Sequence, residues 1–511
     1  MSTRKTTKWM ATLLCMVMLM PAVACGSKGD STTEATSTPA PTQQAQVDDS
    51  SNTTDGSTDS QPEATATPTA EPEPSYDFGG RVVRIGSYYD MTPNPEESAL
   101  KEALAERIAF VEENYNCDIQ FVNLGGDYLN TYITSVLAGE PCCEIGYVMT
   151  YKLLPSLIEG GIAYPVSDLG VIDFDDYKWR TDVVEAGYYK GKNYGMLLKD
   201  PEIRYGIFWN KTLFEKYGLP NLYELYNKDE WTWDKFKEIA IAGNQDVDKD
   251  GTIDIYGFNE RESLAWCYLY SNGADVVKKT DTGMEVNLSD PKVVEALTAL
   301  QDFTTTVDYQ HGWLGDWRSQ IWNFRDGTAL MCLEEYWISY GYLTKAEGGM
   351  ADEWGWVPFP KGPSAEDWSC YGKEFGGRFM LNGIENPEEV ALIYDLITDI
   401  ADTEEEWNEL MEAQLENWAV DAESVENVSY INNAGVGIIN PIKGFGDISN
   451  AMNNMFDEIK NGSSTPQVAI EKNQELIAQA IKDALNYDYD AEMQAIKDAA
   501  EQASEGETAG E

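Results

Sequence analysis

The chain has 511 residues, 42% of them hydrophobic, and carries a formal net charge of −52 from 88 acidic and 36 basic residues. A chain of this length can bury a large core and is expected to divide into about two or three domains. The negative charge disfavours nucleic acid and anionic lipid surfaces as partners, since both would repel it. The chain has only one histidine, His311, which removes most enzyme classes. The sequence also contains no HExxH or GxSxG motif.

Residues 1–24 have the pattern of a secretory signal peptide. Basic residues precede an apolar run at residues 9–24, which ends in the small residues Ala22-Val23-Ala24. Cleavage after Ala24 makes Cys25 the first mature residue. The segment resembles a lipobox, which implies that Cys25 receives a diacylglyceryl group. The alternative is an ordinary cleavage site followed by a coincidental cysteine.

Residues 25–77 are predicted to form this lipidated cysteine and a disordered linker. Residues 26–75 are rich in Ser, Thr, Pro, Ala, Asp and Gln and contain no aromatic residue, so they cannot bury enough apolar surface to fold. A flexible coil of about fifty residues spans roughly 40 Å. Such tethers resemble those of lipidated exoproteins of Gram-positive bacteria, which implies attachment to the outer face of the cell membrane.

The folded part begins near Phe78 with alternating strands and helices. Hydrophobic periodicity predicts strands at residues 81–86, 118–122 and 144–149 and helices at 96–115 and 128–138. This alternation predicts a mainly parallel sheet flanked by helices, with a ligand crevice at the carboxyl ends of its strands. Tyr89 and Asp90 follow the first strand and are therefore candidate ligand-binding residues.

Residues 204–240 carry the most specific pattern in the chain. They read as a strand at 205–209, a short helix closed by Gly218 and Pro220, and a second helix capped by Thr232. This segment resembles that of family 1 extracellular solute-binding proteins, the maltose-binding-protein-like receptors of carbohydrate ABC importers. The resemblance implies a type II periplasmic-binding-protein-like α/β fold. Each of two lobes would be a mainly parallel sheet flanked by helices, with a hinge and a central cleft between them.

The resemblance covers about residues 80–500 and implies the domain limits. Lobe 1 is predicted at residues 78–202 plus 371–415. Lobe 2, with the C-terminal helices, is predicted at residues 203–370 plus 416–500. Residues 501–511 are predicted to be a disordered tail.

An acidic loop matches positions one to nine of an EF-hand calcium loop. The candidate ligands of a structural Ca²⁺ ion are Asp246, Asp248, Asp250, Thr252 and Asp254. The twelfth position is Gly257 instead of the usual bidentate Glu, so the remaining ligand would have to come from elsewhere. The alternative is an acidic, solvated turn.

A second segment, residues 322–337, also resembles the family and indicates the ligand site. The resemblance implies that Trp337 stacks on a sugar, and the neighbouring Glu335 and Tyr336 fit the usual pairing of a flat ring with polar groups. By the same analogy, further candidate ligand-binding residues are Arg261, Glu262, Trp266, Tyr371 and Phe375. For Trp266, packing in the core is an equally good interpretation.

The cysteines beyond Cys25 and the signal peptide form no CxxC and no zinc-binding spacing. They are Cys117, Cys142, Cys143, Cys267, Cys332 and Cys370. Export permits disulfides, but buried free thiols are favoured.

The resemblance implies a lipid-anchored, monomeric receptor that captures a saccharide or oligosaccharide and delivers it to the permease of an ABC importer. No catalytic residue is predicted. Two alternatives remain open: a secreted carbohydrate-active enzyme that uses paired carboxylates, and a solute-binding protein for a peptide or another non-sugar ligand.

Overall fold

A computed structural model describes the chain at residues 75–180, 187–189, 191–199, 205–280, 283–344, 349–372, 376–433, 437–439 and 444–485. All of these residues belong to one compact unit, Glu73–Glu511. The predicted signal peptide, Cys25, Phe375 and the tail at residues 501–511 lie outside the described residues. No helix in the described part of the chain is long and apolar enough to cross a membrane.

The elements alternate along the chain much as the periodicity predicts. The strands are β1 (Arg81–Ser87), β2 (Cys117–Asn123), β3 (Ile145–Met149), β4 (Ala163–Tyr164), β5 (Tyr188–Tyr189), β6 (Lys192–Asn193), β7 (Tyr205–Asn210), β8 (Asn259–Glu260), β9 (Val277–Thr280), β10 (Gly283–Val286), β11 (Gln310–His311), β12 (Met331–Glu335), β13 (Trp354–Pro358), β14 (Cys370–Gly372), β15 (Gly376–Leu381) and β16 (Gly437–Ile439). The longer helices are α1 (Ala99–Tyr115), α2 (Tyr128–Leu137), α3 (Lys211–Tyr217), α4 (Leu222–Asn227), α5 (Trp233–Ala242), α6 (Leu264–Ser271), α7 (Pro291–Thr306), α8 (Ser319–Arg325), α9 (Pro387–Ile397), α10 (Glu404–Trp418), α11 (Ala422–Asn433), α12 (Gly446–Lys460) and α13 (Pro466–Leu485).

The first sheet has the strand order β2-β1-β3-β15-β4 and forms lobe 1 with α1, α2 and α9. β1 pairs in parallel with β2 and β3, as the alternation predicts. β15 is antiparallel to both β3 and β4, so four of the five strands run in one direction and β15 runs against them. The reason is that β15 returns to this sheet after the chain has built the second one. Its direction therefore depends on a long-range crossing that local periodicity does not encode.

The second sheet, the basis of lobe 2, has the order β11-β8-β12-β7-β13 and is likewise mixed. β12 and β11 run parallel to β8, while β12 and β13 flank β7 in antiparallel fashion. All six residues of β7 are buried. At Gly206 a Cβ would lie 2.2 Å from the ring of Trp356, so only glycine lets the two strands approach.

The predicted strand and helix at residues 205–218 are confirmed. Asn210 ends β7 and caps α3, because its Oδ1 accepts a hydrogen bond of 2.9 Å from the backbone N–H of Leu213. Gly218 closes the helix in the left-handed region at φ 67°. Thr232 caps α5 as predicted. The helix α6 begins at Leu264, after the short strand Asn259–Glu260.

The helix α10 packs against both lobes. Near its start Trp407 joins a buried cluster with Leu100 of α1. At its end the ring of Trp418 lies 6.5 Å from that of Tyr336, beside β12. The predicted lobe boundary between residues 415 and 416 therefore falls inside a continuous helix. The later helices α12 and α13 pack on α7.

The cysteines in the described part of the chain are free thiols. All except Cys142 are buried, which is the favoured interpretation of the sequence. The adjacent Cys142 and Cys143 have their Sγ atoms 3.9 Å apart, which is a hydrogen-bonding distance and not a bond.

Candidate functional site

A cavity of about 1000 Å³ lies between the two sheets and is lined from both lobes. In lobe 1 its wall follows the carboxyl ends of β1 and β3. In lobe 2 it follows the carboxyl ends of β8 and β12 and the loop after β11. These are the strand ends where an open α/β sheet leaves space for a ligand. The helix α10 contributes Trp407 and Trp418 to the wall.

Three tyrosines form the aromatic part of the lobe 1 wall. Tyr88 and Tyr89 come directly after β1, and Tyr147 lies in β3. The ring centroid of Tyr147 is 6.0 Å from that of Tyr88 and 5.9 Å from that of Tyr89. Tyr88 and Tyr89 are exposed, so their rings present apolar faces to the cavity.

Three further aromatic rings form the opposite wall in lobe 2. The ring of Trp337 lies 6.1 Å from that of Trp317 and 6.0 Å from that of Tyr342. The Trp337 Nε1–H donates a hydrogen bond of 3.1 Å to Oε2 of Glu335, which fixes the indole edge. Trp337 is half-buried and keeps part of its ring accessible from the cavity.

Basic side chains make up most of the charged lining. The cavity is lined by Lys101, Arg180, Lys199, Arg261 and Arg378, and Glu335 is the one carboxylate among its lining residues in the described part of the chain. Arg261 follows β8. Desolvation by itself lowers its pKa, but the charges of Glu334 and Glu262 outweigh that effect, and the pKa lies above its ordinary value.

Strand register places Arg378 beside the tyrosine cluster. Arg378 pairs with Tyr147 and Gly376 pairs with Met149 across β15 and β3. The guanidinium carbon of Arg378 consequently lies 4.9 Å from the ring centroid of Tyr147. At Gly376 a Cβ would lie 1.6 Å from the Tyr147 hydroxyl, so this glycine makes room for the tyrosine at the cavity wall.

Comparison with known proteins identifies the family. Residues 92–416 match the sequence profile of bacterial extracellular solute-binding proteins, which is more than half of the chain. The chain belongs to this family. A comparison with curated proteins gives no match.

Solved structures of similar fold agree with this assignment. An ABC substrate-binding protein from Listeria monocytogenes in complex with cycloalternan has a TM-score of 0.53 and 17% identity, covering 79% of this chain and 99% of the other. The GacH receptor of Streptomyces glaucescens has a TM-score of 0.55 and 17% identity, with coverages of 80% and 100%. The cyclic alpha-maltosyl-1,6-maltose binding protein of Arthrobacter globiformis has a TM-score of 0.57 and 16% identity, with coverages of 79% and 100%. At these identities the likeness shows a shared fold.

Four of the predicted ligand-binding residues of this solute-binding protein meet at the cavity. They are Tyr89, Arg261, Glu335 and Trp337. Glu262, Trp266 and Tyr371 instead line a second cavity of about 390 Å³, which shares Arg261 with the first. The ring of Trp266 stacks 5.8 Å from that of Tyr371, and both are buried, so packing in the core describes Trp266 better than ligand contact.

Two other predicted residues lie away from the cavity lining. Tyr336 is fully buried, and its ring stacks 6.2 Å from that of Phe208, so the structure places it in the core of lobe 2. Asp90 is exposed, and its Oδ1 accepts hydrogen bonds from the backbone N–H and hydroxyl of Thr92. Its carboxylate therefore organises a turn. Phe375 lies outside the described residues.

The predicted calcium loop brings three of its carboxylates together. Oxygen atoms of Asp246, Asp248 and Asp254 all lie within 4.8 Å of one another on the surface. Asp250 is turned differently, since its Oδ1 accepts a hydrogen bond of 2.7 Å from the backbone N–H of Thr252. The candidate ligand atoms are carboxylate oxygens, and calcium prefers such hard oxygen donors.

The twelfth position of the loop is glycine for a structural reason. A Cβ at Gly257 would lie 2.0 Å from the carbonyl oxygen of Ala240, so the backbone packs directly on α5. Any side chain here would collide, and the bidentate Glu of an EF-hand has no room.

Several lining residues were not predicted from the sequence, among them Trp317, Tyr342, Arg180, Lys101 and Lys199. Trp317 and Tyr342 belong to aromatic-rich stretches that follow β11 and β12, and position after a strand could have indicated them. Arg180 and Lys199 lie in irregular segments. Nothing in their spacing links them to the cavity.

Proposed function

We propose that the protein is an extracellular receptor that captures a saccharide or oligosaccharide between its two lobes and delivers it to the permease of an ABC importer. The observation that supports this most is the pair of aromatic walls in the cavity. Tyr88, Tyr89 and Tyr147 lie on one side, and Trp317, Trp337 and Tyr342 lie on the other.

Flat rings with polar groups at their edges suit a sugar. A pyranose presents C–H groups on its face and hydroxyls at its rim, so it can stack on a ring while its hydroxyls form hydrogen bonds. Glu335, beside the Trp337 edge, supplies an acceptor at such a position. A cavity of about 1000 Å³ is at the upper end of ligand sites, which favours an oligosaccharide over a single ring.

The charged lining favours binding over hydrolysis. Glycosidases generally place two carboxyl groups about 5 to 10 Å apart across the scissile bond. Within the described part of the lining, Glu335 is the one carboxylate. This supports a receptor with no catalytic role.

The solved structures of similar fold favour the saccharide class. Their printed descriptions include cycloalternan and cyclic alpha-maltosyl-1,6-maltose as ligands of the Listeria and Arthrobacter proteins. These saccharides are ligands of those proteins. The aromatic walls of this cavity support a saccharide as the ligand of this chain as well.

The mature protein is further proposed to be a monomer held at the outer face of the cell membrane by lipidated Cys25, with the linker that follows as a tether. The lipobox-like sequence and the composition of residues 26–75 support this proposal. The loop at Asp246, Asp248 and Asp254 is proposed to hold a structural Ca²⁺ ion.

Removing the Trp337 ring tests the receptor site. A panel of neutral and acidic oligosaccharides is first titrated calorimetrically against the wild-type protein to find a ligand. Trp337→Ala should then reduce affinity for that ligand by about 1 to 3 kcal/mol, because a stacking ring and its buried area are lost. The unfolding free energy should change less, since Trp337 is only half-buried.

Trp313→Ala is the matched control, because Trp313 is 68% exposed and lies outside the cavity lining. It should change neither quantity. If Trp337→Ala instead lowers stability by about 3 to 5 kcal/mol and leaves affinity intact, Trp337 is a core residue and the assignment of the ligand site is wrong.

A further inference from the structure

The charged residues that line the cavity in the described part of the chain are mostly basic, whereas the protein as a whole is acidic. The chain has 88 acidic and 36 basic residues. Of the six charged residues that line the cavity in the described part of the chain, five are basic and one, Glu335, is acidic. Clefts with low-dielectric walls focus the field of such groups and concentrate ligands of opposite charge.

The basic groups are concentrated on one wall. Lys101 lies on α1, Arg180 and Lys199 lie in the segments flanking β5 and β6, and Arg378 lies on β15. All four belong to lobe 1. They share the cavity with the tryptophans of lobe 2. A ligand stacked on Trp317 and Trp337 would therefore face the lobe 1 wall that carries these four basic residues.

Arg378 has the chemistry expected of an anion-binding group. Its guanidinium lies over the Tyr147 ring at 4.9 Å, and no carboxylate among the described residues lies within ion-pairing distance of it. A guanidinium fork matches a carboxylate in geometry and can bind it through two parallel hydrogen bonds.

Two further cations of the lining have carboxylate neighbours. A guanidinium nitrogen of Arg261 lies 3.3 Å from Oε1 of Glu262. The Nε–H of Arg261 is buried without a hydrogen-bond partner. Lys199 is 3.8 Å from Glu404, and both side chains are substantially exposed, so this ion pair contributes little.

We propose that the ligand is an acidic oligosaccharide whose uronate carboxylates contact Arg378 and the neighbouring cations of lobe 1 while its rings stack on the tryptophans of lobe 2. This proposal rests on the proposed receptor function and narrows its ligand class. A neutral oligosaccharide would satisfy the aromatic wall but would offer no carboxylate to Arg378, which has none within ion-pairing distance among the described residues.

The test compares matched trisaccharides by calorimetry on the mature protein. The pairs are trigalacturonate with galactotriose, trimannuronate with mannotriose, and triglucuronate with a glucose trisaccharide. At least one uronate should bind at least about tenfold more tightly than its neutral counterpart. Its affinity should also fall as NaCl is raised from about 50 to about 500 mM, because salt screens the charge interaction.

Arg378→Gln removes the charge but keeps hydrogen-bonding capacity. It should weaken uronate binding by about tenfold or more, while Arg378→Lys, which keeps the charge, should restore part of that loss. The matched control is Arg325→Gln, because Arg325 also lies over an aromatic ring, Trp322, but is outside the cavity lining. It should leave uronate affinity unchanged. Thermal melting of each variant establishes that it is folded.

The outcomes separate this proposal from the receptor function. Tight binding of a neutral trisaccharide without binding of its uronate overturns the acidic ligand class and leaves the receptor function standing. Uronate binding that is insensitive to both salt and Arg378→Gln also overturns the proposed role of the basic wall. Absence of binding by every saccharide in the panel overturns both.

Discussion

At the scale of single residues, Glu260 carries a strongly perturbed carboxyl group near the site. It ends β8, it is buried, and its Oε2 has no hydrogen-bond partner in the described part of the chain. Desolvation raises its pKa from the ordinary 4.5 to about 7, although the charge of Lys460 opposes the rise. The folded state therefore holds a proton on Glu260 at pH values where the unfolded chain has released it.

This difference predicts a pH-dependent stability. Because the folded-state pKa is the higher one, the contribution of Glu260 to stability is complete below pH 4.5 and is lost as the pH rises through about 7. The full loss corresponds to about 3 kcal/mol. Glu260→Gln cannot ionise, so its unfolding free energy relative to wild type should rise between about pH 5 and pH 8.

Urea unfolding of both proteins across this pH range measures the difference. Glu285→Gln serves as the control, since Glu285 is exposed on β10 and its substitution should give a difference that is flat with pH. A flat difference for Glu260→Gln as well would mean that Glu260 is ionised in the folded state without penalty.

Single residues also show how far the sequence predicts the site. Tyr89 could be found because it lies just after the end of a strand, and that position is set by local periodicity, whereas Glu335 was named as a neighbour of Trp337. Trp337 was found through a family resemblance. Tyr336 was misplaced because adjacent residues at a strand end can point in different directions, and only packing against Phe208 decides between core and cavity.

At the scale of elements, the acidic loop between α5 and β8 combines a metal-binding pattern with a packing constraint. The close approach of Gly257 to Ala240 excludes a glutamate at the twelfth position. Three carboxylates nevertheless converge at Asp246, Asp248 and Asp254. A calcium ion here would need water or backbone oxygens to complete its six to eight ligands, which implies weaker binding than in an EF-hand.

Asp248→Ala should therefore reduce stabilisation by calcium. For the wild type, calcium at one hundred times its Kd should raise the unfolding free energy by about 2.7 kcal/mol. A tenfold weaker site should lose about 1.4 kcal/mol of that gain at the same concentration. Thermal melts of both proteins with calcium and with a chelator measure this difference in stabilisation.

Asp118→Ala, which removes an exposed carboxylate from β2, is the control and should retain the full gain. A wild-type melting temperature that is the same in calcium and chelator would rule out a calcium site.

The helix α10 shows that helical periodicity does not predict which lobe a buried residue packs against. Its three glutamates at residues 404–406 are exposed, as a solvated acidic face predicts. Its apolar residues look alike in the sequence, yet Trp407 packs in lobe 1 while Trp418 approaches lobe 2. Helical periodicity identifies a buried stripe without stating which partner buries each part, so the predicted boundary was placed inside the helix.

At the scale of the whole molecule, the two sheets are connected by more than one crossing. The chain leaves the first sheet before β7, returns to it at β15, and approaches the second sheet again at the end of α10. The family resemblance predicted the two-lobed α/β fold, and the match to the family confirms it. The antiparallel direction of β15 could not be predicted, because it depends on where the chain has travelled between residues 149 and 376.

The proposed attachment to the membrane also belongs to this scale. The described fold begins at residue 75, and the preceding segment carries Cys25 and the aromatic-free linker. If Cys25 is the lipidated residue, Cys25→Ala should abolish metabolic labelling with palmitate. It should also move the protein from the membrane fraction to the medium or leave its signal peptide uncleaved.

Cys142→Ala is the control, because Cys142 is the partly exposed cysteine of the folded unit and its loss should change neither labelling nor location. Undiminished labelling of Cys25→Ala would show that the lipid is attached elsewhere, and an unlabelled wild-type protein released to the medium would show that residues 22–25 form an ordinary cleavage site. In either case the proposal of a binding site in the cavity would stand, because the described lining residues all belong to the unit at residues 73–511.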